Sequence, residues 1–417
     1  MPTPDGTTIA ATSPQPGGTG TERPVADRPI PFFSQGFRPF FLIAGLWAPL
    51  GVAVWVLALV GMPVPDGPLA LPQWHAHELL AGFVGATMIG FVLTAIPNWT
   101  KGPPYAGAPL VGLFALFLAA RLALLPGSPI PIWLAAPLAL AAVPAALLLV
   151  LPALLKAGSP RLFGPPALIL LFWAGDLLML GEAAGWWPAA TWPTGQRLMA
   201  NVALLLVGLI GGRIIPTFTL NALRAAGTPV EVRPLPGIDA AAILSLLAVV
   251  LVDVVWPESP AAGAVAAVTA VLLALRLSRW HGLRTLRAPI LWILHVAYGL
   301  VALALALKAA WLLLGADWAV NWLHLQVAGA LATMILAVMT RATLGHTGRL
   351  LVATAATVAA YGLLLAAVVL RVAGPVVVED TMLPLVAATV CWVASFSFFL
   401  GSYAPMLVGP RVHGGTE

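Results

Sequence analysis

Two histidines and a carboxylate stand together in LPQWHAHELLAGFVGATMIGFVLTAIPNWTKG, residues 71–102, at the start of what is otherwise a long apolar run. They are His75, His77 and Glu78. Neutral imidazole is the commonest metal ligand and suits haem iron and copper. His75 and His77 are two residues apart, about 200° around a helix, and so project to nearly opposite faces. One can ligate while the other bonds a neighbour, or the two can serve different centres. Glu78 falls three residues after His75, on its face, where it could orient an imidazole.

The remaining histidines sort by position. His324 begins the segment NWLHLQVAGALATMIL, His295 lies in ILHVAYGL, and His346 follows in TRATLGHTGRL. From His324 to Arg341 is about 25 Å of helix at 1.5 Å per residue. His324 and His346 therefore cannot share one metal. The natural grouping is an outer set of His75, His77 and His324, and an inner set of His295 and His346. Tyr298 shares a helical face with His295 and is a candidate partner. His281 and His413 lie in a basic loop and a tail and are expected to be solvated. For any one of these histidines the plain alternative is a helix cap or an interfacial hydrogen bond. The grouping of several ionisable groups within apolar runs is what favours function.

Weaker candidates are Asp176, Asn201 and Arg213. Asp176 would act as a proton or ion relay, or only pair within the bundle. In VGLIGGRIIPTFTLNALR, Gly211 and Gly212 permit close backbone approach, and Arg213 could hold a haem propionate through its guanidinium fork. An ordinary interfacial arginine is the alternative.

The elements that must position these groups follow from composition. The chain has 417 residues, 60% hydrophobic and 8% charged, with mean hydropathy +0.98. Soluble domains are about 25% charged. Recurrent apolar runs of about 20 residues mark an all-α integral membrane bundle rather than a barrel. About twelve spans are expected, near 39–61, 73–97, 108–126, 129–152, 166–186, 195–216, 238–256, 260–277, 289–314, 320–340, 350–372 and 382–405. They form one membrane domain over 32–405, between a disordered cytoplasmic tail at 1–31 and a short cytoplasmic tail at 406–417. Residues 1–30 lack the apolar core of a secretory signal.

With the N-terminus inside, only Arg121, Arg197, Lys308 and Arg371 of the 20 basic residues fall on the outer side or outer half. This bias places both termini in the cytoplasm. The net charge of +5 is spread over loops, as a topology signal rather than a nucleic-acid surface. The single cysteine, Cys391, excludes an intrachain disulfide and any cluster held by several cysteines.

Four strings in this order resemble the NnrS family: FFSQGFRPFFLIAGLWA, WHAHELLAGFVGATMIGFVLTAIPNWT, GGRIIPTFT and MTRATLGHTGR. The resemblance runs from Phe32 to beyond Arg349. It implies a multi-pass protein of the bacterial inner membrane that contains haem b and copper and is linked to nitric oxide stress and denitrification. It also implies that His75, His77, His295, His324 and the GHTGR segment with His346 matter. Arg38, Asn98, Arg213 and Arg341 lie within the quoted strings and are expected, with Glu78 and Tyr298, to support the metal site. Lys101 departs from a more compact PNWTG in the loop after the second span.

The expected function is thus haem and copper binding that protects against nitric oxide, with redox turnover requiring an electron donor. The alternative is a transporter of copper, haem or a nitrogen-oxide-related metabolite. A haem–copper oxidase or nitric oxide reductase ranks lowest, because no two histidines adjoin.

Overall fold

Proline and glycine set the helix limits. Pro72, Pro109, Pro193, Pro260 and Pro289 occupy the first turns of their helices, where a missing N–H costs nothing. Gly158 and Gly315 end helices at positive φ, 63° and 60°, the left-handed cap for which glycine carries no steric penalty. In the computed structural model, which describes residues 30–187, 190–228, 230 and 236–412, twelve helices result and no strand is found among the described residues. The 1–31 tail and His413 lie largely or wholly outside the described residues.

The helices are α1 Phe37–Leu59, α2 Leu71–Thr100, α3 Ala108–Ala123, α4 Ile132–Ala157, α5 Pro160–Ala183, α6 Trp192–Ala225, α7 Pro236–Val255, α8 Pro260–Ser278, α9 Pro289–Leu314, α10 Asp317–His346, α11 Ala355–Val377 and α12 Met382–Val408. Eleven are long and apolar enough to span a bilayer; α3, with 16 residues, is apolar but short for the ~20 residues a span needs. The twelve apolar segments of the sequence each become one helix.

Two helices are not regular throughout. Residues Glu78–Val84 of α2 and Leu325–Leu331 of α10 are π-helical. These are also the most enclosed helices: 83% of the most apolar window of α2 and 72% of that of α10 are buried, against 28% in α7. The histidine-bearing helices therefore form the middle of the bundle, not its lipid-facing rim.

The two ends of the bundle are distinguished by contacts between distant parts of the chain. At one end, Arg38 of α1 is buried and donates from Nη1 to the carbonyls of Met406 (3.2 Å), Leu407 (2.9 Å) and Gly409 (2.6 Å) at the close of α12. A cation at the last carbonyls satisfies acceptors that the helix cannot, and opposes the helix dipole. The Val412 amide donates to Thr347 at the same end. The starts of α2 and α10 lie at the opposite end.

Candidate functional site

At that opposite end the irregular turns are aligned with the chemistry. Each π-helical stretch begins next to an outer histidine: His77 precedes Glu78, and His324 precedes Leu325. A π turn widens the helix by one residue and recurs at functional sites. The two stretches belong to different helices, so two separately modified helices present imidazoles at one end of the bundle.

His75 packs between α1 and its own helix. Its ring stacks on Trp55 at 5.4 Å between centroids, and Nδ1 lies 3.1 Å from the Gly51 carbonyl. A carbonyl only accepts, so Nδ1 carries the proton and Nε2 keeps its lone pair. This is the tautomer and the second contact that metal-ligating histidines use. His324 faces Arg371 of α11, whose Nη2 lies 2.9 Å from Nε2 and 3.3 Å from Nδ1. A guanidinium only donates, so Nε2 of His324 is an acceptor whose lone pair is taken up by Arg371. Arg371 further donates to Asn321 Oδ1 at 3.1 Å, and Asn321 donates to the Val372 carbonyl at 3.2 Å. Arg371 lies within Coulombic reach of His75, and His75 of His324.

His77 has a different environment. Its Nδ1 meets Glu78 Oε1 and its Nε2 meets Asp176 Oδ1 of α5, both at 2.8 Å. Arg121 of α3 donates to Glu78 Oε1 at 2.7 Å, and Trp47 of α1 to Oε2 at 2.6 Å. All five side chains are buried. Ionised carboxylates only accept, so this arrangement holds one proton more than neutral His77 supplies. With Arg121, the cluster then balances two cations against two anions, which is the condition for burying charge. Gly82 makes the packing possible, since a Cβ there would sit 2.7 Å from Trp47 Nε1 and 3.0 Å from Glu78 Oε2.

The outer set therefore divides. His324 is held by Arg371, with His75 within Coulombic reach of both; His77 is tied up with two carboxylates. Among the described residues no three His, Cys, Asp or Glu side chains converge as a metal set. Glu78 orients His77, not His75 as the regular-helix spacing predicts, because its carboxylate is shared with Arg121 and Trp47 from neighbouring helices. Asp176 is the second anchor of His77, the pairing within the bundle that the sequence allows.

A second buried network lies nearby. Asp253 of α7 receives hydrogen bonds from Lys308 of α9 and from Asn201 of α6, the latter at 2.7 Å. Gln326, in the π-helical part of α10, donates to Asn201 Oδ1 at 2.9 Å. Lys308 also lies over the Trp322 ring, 4.9 Å from its centroid. Sequence reading singled out only Asn201 here. Arg121, Lys308 and Arg371 are three of the four basic residues on the minority side of the charge count. That anomaly is the signal that points to all three clusters.

The inner residues have separate neighbours. His295 is buried, with Nδ1 3.1 Å from the Leu291 carbonyl, Nε2 3.3 Å from Thr219 Oγ1, and Trp280 against its ring. His346 packs on Phe37 at 5.4 Å. Tyr298 does not partner His295: its hydroxyl accepts from Arg276 at 3.1 Å and its ring packs on Trp280. Arg276 also donates to Asp239 at 2.6 Å and to the Gly208 carbonyl at 2.9 Å. Gly212 does permit close approach, but of the Arg276 guanidinium; Arg213 itself is exposed. Arg38 serves as the cap described above, Arg341 lies over Phe218 at 3.9 Å, and Asn98 is exposed near the end of α2. His281 is half-buried at φ 56°.

A family model described as NnrS protein matches residues 31–411, nearly the whole chain. No curated protein matches the chain.

Proposed function

The chain belongs to the NnrS family, and on that premise we propose that it is a haem- and copper-binding protein of the bacterial inner membrane that protects against nitric oxide. Both termini are then cytoplasmic, and the end of the bundle that bears His75 and His324 faces the periplasm.

The observation that carries this reading is that His75 and His324, within Coulombic reach of one another, lie beside the two π turns at one end of the bundle. His75 keeps the Nε2 lone pair, whereas Nε2 of His324 accepts from Arg371 and would exchange that bond for a metal; imidazoles without a thiolate suit haem iron or copper. His75 is held by Trp55 and the Gly51 carbonyl, so it fits a ligand's role as it stands. His77 does not, because both its nitrogens meet carboxylates. An iron or copper centre held there would supply one-electron chemistry and a position for a small diatomic gas. The chain contributes the rest: Trp55 fixes the His75 plane and Arg371 places positive charge against the His324 ring. Nitric oxide, small and apolar, reaches such a site through the bilayer. Turnover requires an electron donor.

The test is the absorption spectrum and metal content of detergent-purified protein, followed by nitric oxide consumption. A Soret band lost in His75→Ala supports the reading. Folded wild type with neither haem nor copper refutes it.

A transporter of copper, haem or a nitrogen-oxide-related metabolite is the second reading. It draws on the buried Asn201–Asp253–Lys308–Gln326 network, since intramembrane ionisable groups mark substrate and ion pathways. Uptake into vesicles by haem-free protein distinguishes it.

A further inference from the structure

We propose that Arg371 is the anchor of an oxyanion site at the His75–His324 end of the bundle, taking a carboxylate or a similarly small planar oxyanion. The argument starts from charge. Arg371 lies in α11, six residues before its end, and is half-buried. An intramembrane cation needs a counter-charge. The fully buried cations with charged side-chain partners have one: Arg121 has Glu78, Lys308 has Asp253 and Arg276 has Asp239; the half-buried Arg341 lies over the Phe218 ring instead. Arg38 has three carbonyls at the negative end of α12. Among the described residues, no carboxylate pairs with Arg371. Its partners are the neutral acceptors His324 and Asn321.

The surroundings do not supply the missing charge. His75, the other group within Coulombic reach, is an imidazole. Glu78 and Asp176 are already balanced by Arg121 and His77, and Asp380, in the loop after α11, accepts from the Met382 and Leu383 amides. The site is therefore a net positive cluster of one guanidinium and the His324 imidazole, with Asn321 at its edge and His75 within Coulombic reach. A guanidinium fork matches a planar oxyanion and binds it through charge-assisted hydrogen bonds. The sequence offers Arg213 for such a carboxylate, but Arg213 is exposed, and Arg371 is the arginine beside the candidate ligands.

Two sources share this chemistry. One is a haem propionate, which rests on the function proposed above. The other is a free small oxyanion, which does not. The experiment separates them. Wild type, Arg371→Gln and Arg371→Lys are purified in detergent, and folding is checked by circular dichroism and a monodisperse elution profile. Haem is titrated into each by Soret absorbance, and sodium nitrite is titrated into haem-free samples by calorimetry, with chloride as control. If the propionate is the anion, haem affinity falls about tenfold or more in Arg371→Gln and less in Arg371→Lys, as loss of one charge-assisted contact predicts. If the anion is free, nitrite binds haem-free wild type and is lost in Arg371→Gln, while chloride does neither. Nitrite binding that depends on Arg371 in a protein that takes up no haem keeps this inference and removes the haem reading. Should Arg371→Gln misfold, Arg371→Lys decides alone, since it keeps the charge and loses the fork. Haem and nitrite affinities within twofold of wild type in the folded variants overturn the proposal.

Discussion

Asp176 meets Nε2 of His77 at 2.8 Å from 99 residues further along the chain. That contact joins α2 to α5 and, through Glu78 and Arg121, to α3. The three helices are thereby pinned by one buried, charge-balanced cluster. It fixes the backbone two residues from His75 without using His75 itself.

Removing one member of that cluster strands its partner. Arg121→Ala leaves two buried carboxylates facing the single cation His77, and is expected to destabilise by about 3–5 kcal/mol. The check is thermal unfolding in detergent. A midpoint equal to wild type would show that Arg121 does not hold Glu78.

The two neighbouring histidines should separate by phenotype. His75→Ala is expected to abolish the Soret band while the protein stays folded. His77→Ala is expected to lower the unfolding midpoint and keep the band. Spectra and melting curves on the same samples decide; a band lost only in His77→Ala would reverse the assignment of ligand and anchor.

Adjacent glycines in α6 should differ. A methyl on Gly212 runs into the Arg276 guanidinium, whereas one on Gly211 meets Ile215 and Tyr298 at 3.5 and 3.6 Å, ordinary contact distances. Gly212→Ala is expected to cost about 1–3 kcal/mol and Gly211→Ala much less. Equal melting temperatures for the two would show that Arg276 moves aside freely.

Orientation can be read directly. An enzyme reporter active only in the periplasm, fused after Val412, is expected to be silent, and one active in the cytoplasm to work. The reverse pattern would place the His75–His324 end on the cytoplasmic side.

The helices were legible because lipid imposes long apolar runs and proline and glycine punctuate them; α3 stops at Ala123, just ahead of the Pro126–Gly127 turn. The histidine pairings were less so. Glu78 falls on the face of His75, but its carboxylate is taken by His77 and by Arg121 and Trp47 of other helices. Nothing in a single apolar run announces partners of this kind. The His77–Asp176 and Arg38–Gly409 contacts join residues about 100 and several hundred positions apart, and spacing carries no information about them. The charge asymmetry did carry some: Arg121, Lys308 and Arg371 violate the inner bias, and each proves to be structural or chemical rather than topological.

The clamp between Arg38 and the end of α12 also orders events in time. Arg38 is made well before its acceptors at Met406, Leu407 and Gly409, which lie 368, 369 and 371 residues further along the chain. Chains are synthesised from the N-terminus at about 5–20 residues per second. Until α12 has been made, the guanidinium of α1 has no backbone to cap and must stay near water. A chain stopped short of residue 406 therefore carries its defect on α1, not at the break. The end of α12 is thus the latch that closes the bundle on its own first helix.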